Sequence, residues 1–163
     1  MRNRIWNELG QSQYYLEFLK RYIAHAQRWN GIVKVLTAII TFGSIAGWYR
    51  FSDLSIVWAV LIVLVQLFNL FKDFFLVSES ELSTLRAVLN FYNRHCRDLE
   101  NLWFDFHDER ITDEQTRRRL GTLIRKELDM QELEKHDLLT GTKKQKGNAD
   151  VATREYLARI THE

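Results

Sequence analysis

Two apolar runs, 31–49 and 54–71, stand out from an otherwise periodic chain and are separated only by Arg50, Phe51, Ser52 and Asp53. Each has about the 18 to 20 mostly apolar residues that carry a helix across the hydrocarbon core of a bilayer. So short a link forces the two helices antiparallel, and 31–71 is expected to form a transmembrane helical hairpin. The alternative is a buried hairpin in a soluble protein. Against it, residues 56–65 are apolar on every face, and 163 residues offer little core in which to hide two such helices from all sides.

The flanking segments carry heptad patterns. Ile5, Leu9, Ser12, Leu16, Leu19, Ile23 and Ala26 recur at alternating spacings of four and three, the seam of a helix over 1–30 that runs into the first span. Tyr14, Tyr15, Phe18, Tyr22 and Trp29 widen its apolar face, a surplus expected to serve contacts between subunits. Beyond the hairpin, Leu82, Leu85, Leu89, Tyr92, Cys96, Leu99, Trp103 and Phe106 repeat the alternation without a breaker. The pattern predicts one long helix over 72–110, packed as a stalk against the N-terminal helix and against other subunits.

Residues 111–163 form a basic C-terminal helical region. Thr112 with Gln115 has the form of a capping box, opening a helix over 113–139 with Leu120, Leu123, Ile124 and Leu128 on one face. Residues 140–148 read as a flexible basic linker, and 151–160 as a short amphipathic helix.

The chain has no proline, so long helices are uninterrupted, and the expected fold class is all-α. The lone cysteine, Cys96, excludes an intrachain disulfide and reads as a small core residue. His95, Cys96 and His107 do not make a metal site, since 96 and 107 lie roughly 16 Å apart along a helix. The sequence holds no phosphate loop, activated nucleophile or paired carboxylates that outrank a solvated face, so neither enzymatic activity nor a cofactor is expected.

Charge is informative through its placement. Arg2, Arg4, Lys20, Arg21 and Arg28 precede the hairpin while the link keeps only Arg50 and Asp53, so both termini are expected on the cytoplasmic side of the membrane. The first span carries Asn30, Lys34, Thr37, Thr41 and Ser44 on one stripe, and the second ends in Gln66, Asn69 and Asp73. Such positions either line a pore or pack helices together, because unpaired polar groups avoid hydrocarbon. Asp73 reads equally as the first solvated residue. Arg117, Arg118, Arg119, Arg125 and Lys126 form the one candidate ligand site. Successive arginines diverge by about 100° on a helix, so a polyanion would need arginines from several subunits; a solvated face or lipid headgroup contact is the plainer reading.

This order of helices, together with Tyr14, Tyr15, Arg21, Tyr22 and the 29–34 entry to the first span, resembles the SLATT family, small two-span effectors found beside nucleotidyltransferases in bacterial conflict systems. The family includes the channel effector of Hailong-type antiphage defence. The resemblance covers residues 1 to about 110 and rests on architecture rather than on a specific motif. It implies a homo-oligomeric ion channel in the bacterial inner membrane, with a tetramer favoured, controlled by a nucleotide or oligonucleotide made by a partner nucleotidyltransferase. An anion that gathers the arginines stabilises their close arrangement; where that is the closed pore, the ligand holds the channel shut. The competing expectation is a non-conducting membrane scaffold whose helical stalk docks a soluble partner.

Overall fold

The computed structural model describes residues 1–50, 55–133 and 142–160; the side chains at 44–50, 55, 58, 61, 69, 71–75 and 131–133 lie outside the description. Among the described residues the fold is all-α, with helices α1 (Arg2–Arg50), α2 (Ser55–Phe75), α3 (Glu79–His107), α4 (Asp113–Leu133) and α5 (Lys143–Ile160). Ser44, Asn69 and Asp73 were expected to contribute side chains to a polar stripe, and these lie outside the described set, as does the expected extension of α4 to residue 139.

Each of the later helices begins with a reciprocal cap. The Ser78 amide donates to Glu81 Oε2 at 2.8 Å while the Glu81 amide donates to Ser78 Oγ at 3.2 Å. The Thr112 amide donates to Gln115 Oε1 at 3.1 Å and the Gln115 amide to Thr112 Oγ1 at 3.3 Å. Thr142 and Gln145 repeat the arrangement at 2.9 and 3.4 Å. A capping box satisfies two orphan donors at once, and two of the three correct the sequence reading. Residues 76–78 interrupt what was expected to be one helix over 72–110, because the Ser78 cap restarts the chain there. Residues 143–148, expected as a flexible linker, are the first turns of α5, since Thr142 caps them.

At its other end α3 closes with a Schellman turn. The Arg110 amide donates to the Asp105 carbonyl at 2.9 Å and the Glu109 amide to that of Phe106 at 3.3 Å, which puts Glu109 in the left-handed region at φ 55°.

The chain divides into two compact units, one of 1–22 with 84–163 and one of 23–83. The first has a conventional core in which Ile5, Leu9, Leu99, Leu102, Trp103, Leu120, Leu123 and Ile160 are buried together. Every position of the α1 heptad seam is buried, Ser12 included, as are Leu82, Leu85, Tyr92, Cys96, Leu99 and Trp103 of the α3 seam. Leu89 and Phe106 are half-buried. Part of the aromatic surplus expected between subunits is used inside the unit. Tyr15 stacks on Tyr92 at 5.6 Å between ring centroids, Trp6 meets Trp103 at 4.9 Å, and Phe18 is buried between Tyr14 and Tyr22. The Arg2 guanidinium lies 5.5 Å over the Trp103 ring.

The second unit exposes its apolar side chains. On α1 they are Ile32, Val35, Leu36, Ile39 and Phe42; on α2, Ile56, Val57, Val60, Val63, Leu64, Leu67 and Leu70, with Ile56 at 79% and Leu70 at 73% exposure. Among the described residues no helix is long and apolar enough to cross a membrane. Both apolar runs of the sequence continue into positions whose side chains are outside the description.

Candidate functional site

In the second unit the polar stripe of α1 is mostly tied to nearby groups. The Asn30 side chain is buried and donates through Nδ2 to the Val77 carbonyl at 2.8 Å, which holds the non-helical residues after α2 against α1. Its Oδ1 has no partner among the described residues. Lys34 pairs with Glu79 at 3.3 Å, both side chains largely exposed. Thr41 Oγ1 donates to the Thr37 carbonyl at 2.8 Å, the bond back to the i−4 carbonyl that a helical threonine can make. Gln66 is exposed on α2. Thr37 lines a cleft of about 360 Å³ whose other walls are aliphatic, among them Val33, Ile40 and Val65, with Phe68 at one side. Of the pore-lining candidates, Thr37, Thr41 and Gln66 therefore carry no ion pair among the described residues, whereas Lys34 does.

In the first unit the five basic residues of α4 do not converge. Arg118 is held by Glu114 at 2.6 Å along its own helix, and Arg119 reaches Asp105 of α3 at 3.0 Å. Arg117, Arg125 and Lys126 are exposed and pair with no acid among the described residues. One chain does not gather these cations, and two of them meet acids, because α4 docks with Arg119 facing the acidic end of α3. Asp98, Asp105 and Arg119 rim a cleft of about 330 Å³ between these helices.

Farther along α4, Glu127 is buried against His95 of α3, with Oε2 3.5 Å from Nε2 and the two side chains 7% and 2% exposed. Phe91 stacks on the imidazole at 5.4 Å between centroids. Glu127 Oε1 has no partner among the described residues. In the sequence Glu127 is one of several acids that follow the arginines; its helical offset from Leu120 and Leu123, seven and four residues on, is the signal that places it on the buried face.

A second polar cleft, about 360 Å³, lies where α5 packs on α1 and α3 of this unit. Gln13, Leu16 and Cys96 are its buried walls. Burial pushes the Cys96 thiol up from 9.0 to about 12, with Lys20 opposing and Glu127, Glu100 and Glu17 adding to the rise, so it is a neutral thiol at physiological pH. Tyr156 donates to Glu100; burial first, then the Glu100 charge and this bond, raise its phenol above the usual range. Among the described residues no group of three or more His, Cys, Asp or Glu side chains could hold a metal ion. No protein-family model, curated protein or solved structure matches the chain.

Proposed function

We propose that the chain is a membrane effector of the two-span kind its helix order resembles. Residues 31–71 lie in the bacterial cell membrane, both termini are cytoplasmic, and several copies, with a tetramer favoured, associate into an ion channel. A nucleotide or oligonucleotide from a partner nucleotidyltransferase controls it, and holds it closed. The observation that supports this reading is the display of aliphatic side chains along α1 from Ile32 to Phe42 and along α2 from Ile56 to Leu70. Contiguous exposed apolar surface on this scale is rare on water-facing proteins and marks contact with lipid or with other chains. The other unit of the same chain buries Leu9, Leu19, Leu85, Leu99, Leu102 and Leu120 and exposes only Leu128 and Val151 among its described large apolar side chains, so the dense exposure belongs to this region rather than to a generally loose fold. Thr37, Thr41 and Gln66 supply the polar surface of an ion path or of helix–helix contacts within that layer.

The test is current across a planar bilayer containing the purified full chain, paired with membrane extraction of the same protein. The expected result is carbonate-resistant membrane association and discrete conductance steps. Val60→Arg with Leu64→Arg should abolish association, each arginine costing about 2.5–3.5 kcal/mol at the centre of an inserted helix. Wild-type protein released by carbonate would overturn the membrane reading. A silent bilayer from an oligomeric, membrane-retained protein would overturn the channel.

A further inference from the structure

The cleft between α1, α3 and α5 carries an unassigned constellation. Arg97 of α3 and Arg159 of α5 line it together, each anchored by Nε to a backbone carbonyl of its own helix, that of Asn93 at 3.5 Å and that of Glu155 at 3.4 Å. Among the described residues neither guanidinium meets a carboxylate, so the terminal amino nitrogens of both are uncommitted. By contrast Lys20, also on the rim, is occupied by Glu17 at 2.7 Å. Two arginine forks delivered from different helices suit a group with more oxygens than one fork can saturate. A carboxylate's two oxygens are taken up by a single guanidinium, whereas a phosphate ester's three terminal oxygens serve both.

The rest of the lining is not what a bare inorganic anion would need. The half-buried Tyr156 ring and buried Leu16 offer an apolar wall for a planar ring. Glu155, and the lone pairs that Glu100 keeps beside its bond from Tyr156, present acceptors to amino or hydroxyl donors. The volume of about 360 Å³ lies at the small end of the roughly 300–1,000 Å³ of small-molecule sites. We infer that this cleft binds a nucleoside monophosphate, its phosphate between Arg97 and Arg159, its ring against Tyr156 and its donor groups toward Glu100 and Glu155.

The proposal rests on the reading that a nucleotide controls the chain; because the cleft belongs wholly to the first unit, a failed titration overturns the nucleotide seat and leaves membrane association and conductance to their own test. It also separates the ligand seat from the arginines of α4, two of which are already paired. Calorimetric titration of the detergent-solubilised full chain with adenosine monophosphate and with inorganic phosphate tests it. Three proteins are compared: wild type, Arg97→Gln with Arg159→Gln, and Arg117→Gln with Arg118→Gln and Arg119→Gln. All substituted cations are surface residues, and an unchanged thermal midpoint without ligand verifies folding. The expected result is saturable binding of the monophosphate to the wild type and the α4 variant, weaker binding of phosphate, and at least about tenfold loss in the Arg97/Arg159 variant. No monophosphate binding by the wild type, retention by the Arg97/Arg159 variant, or loss only in the α4 variant would each overturn it. Equal binding of phosphate and monophosphate would overturn the role given to Tyr156, Glu100 and Glu155.

Discussion

The two units of this chain treat the same residue type in opposite ways. In the first, Leu9 and Leu99 are fully buried, whereas in the second Leu64 and Leu70 are 59% and 73% exposed. The first unit alternates apolar and polar positions at heptad spacing, which gives each helix one face to hide and one to wet. The second places apolar residues all round α2, a helix that no arrangement of a single hairpin can cover. The comparison teaches that burial here follows pattern rather than hydrophobicity: the more apolar helix is the more exposed.

Truncation should separate the units most sharply. Leu99→Ala is expected to destabilise the first unit by about 2–5 kcal/mol, read as a lowered thermal midpoint by circular dichroism in detergent. Leu64→Ala in the same assay should leave that midpoint nearly unchanged; equal losses would mean that α2 is packed rather than displayed. The buried pair gives a somewhat smaller effect by a different cause. His95→Leu alone leaves the buried Glu127 side chain without its polar partner and should cost about 1–3 kcal/mol, while the double change to His95→Leu with Glu127→Leu should recover most of it. Failure of the second substitution to rescue would show that the site packs rather than pairs.

A smaller, stabilising effect is expected at the end of α3. Glu109→Gly removes a side chain from a left-handed backbone position and should raise stability by about 1 kcal/mol. The gentlest probe is alkaline pH. Because the folded chain holds the Cys96 proton more tightly than the unfolded chain does, with the thiol raised from 9.0 to about 12, its contribution is complete below pH 9 and is lost as pH rises toward 12. Tyr156 moves in the same direction. Cys96→Val should therefore flatten the decline in thermal midpoint between pH 9 and 10 without abolishing it, and identical pH profiles would remove Cys96 as a cause.

How much of this was legible depended on how local the signal is. The seams from Ile5 to Ala26 and from Leu82 to Trp103 follow from spacing alone, because a helix's own geometry brings those positions onto one face. The Thr112 cap was readable for the same reason. The caps at Ser78 and Thr142 carry the same short pattern, but the unbroken heptad count around the first and the glycine and lysines around the second point the other way. The His95–Glu127 pair and the Arg97–Arg159 cleft were not readable, since each requires knowing how α4 or α5 is rotated about α3. The arginine run of α4 drew attention as a block of charge, yet a helix scatters neighbours in sequence and gathers residues far apart along it.

The three reciprocal caps each close within four residues, at Ser78–Glu81, Thr112–Gln115 and Thr142–Gln145. Contacts of such short range form with almost no loop to close. Where these helices begin is therefore marked by contacts that need no tertiary neighbour, and the punctuation of the polypeptide is written locally.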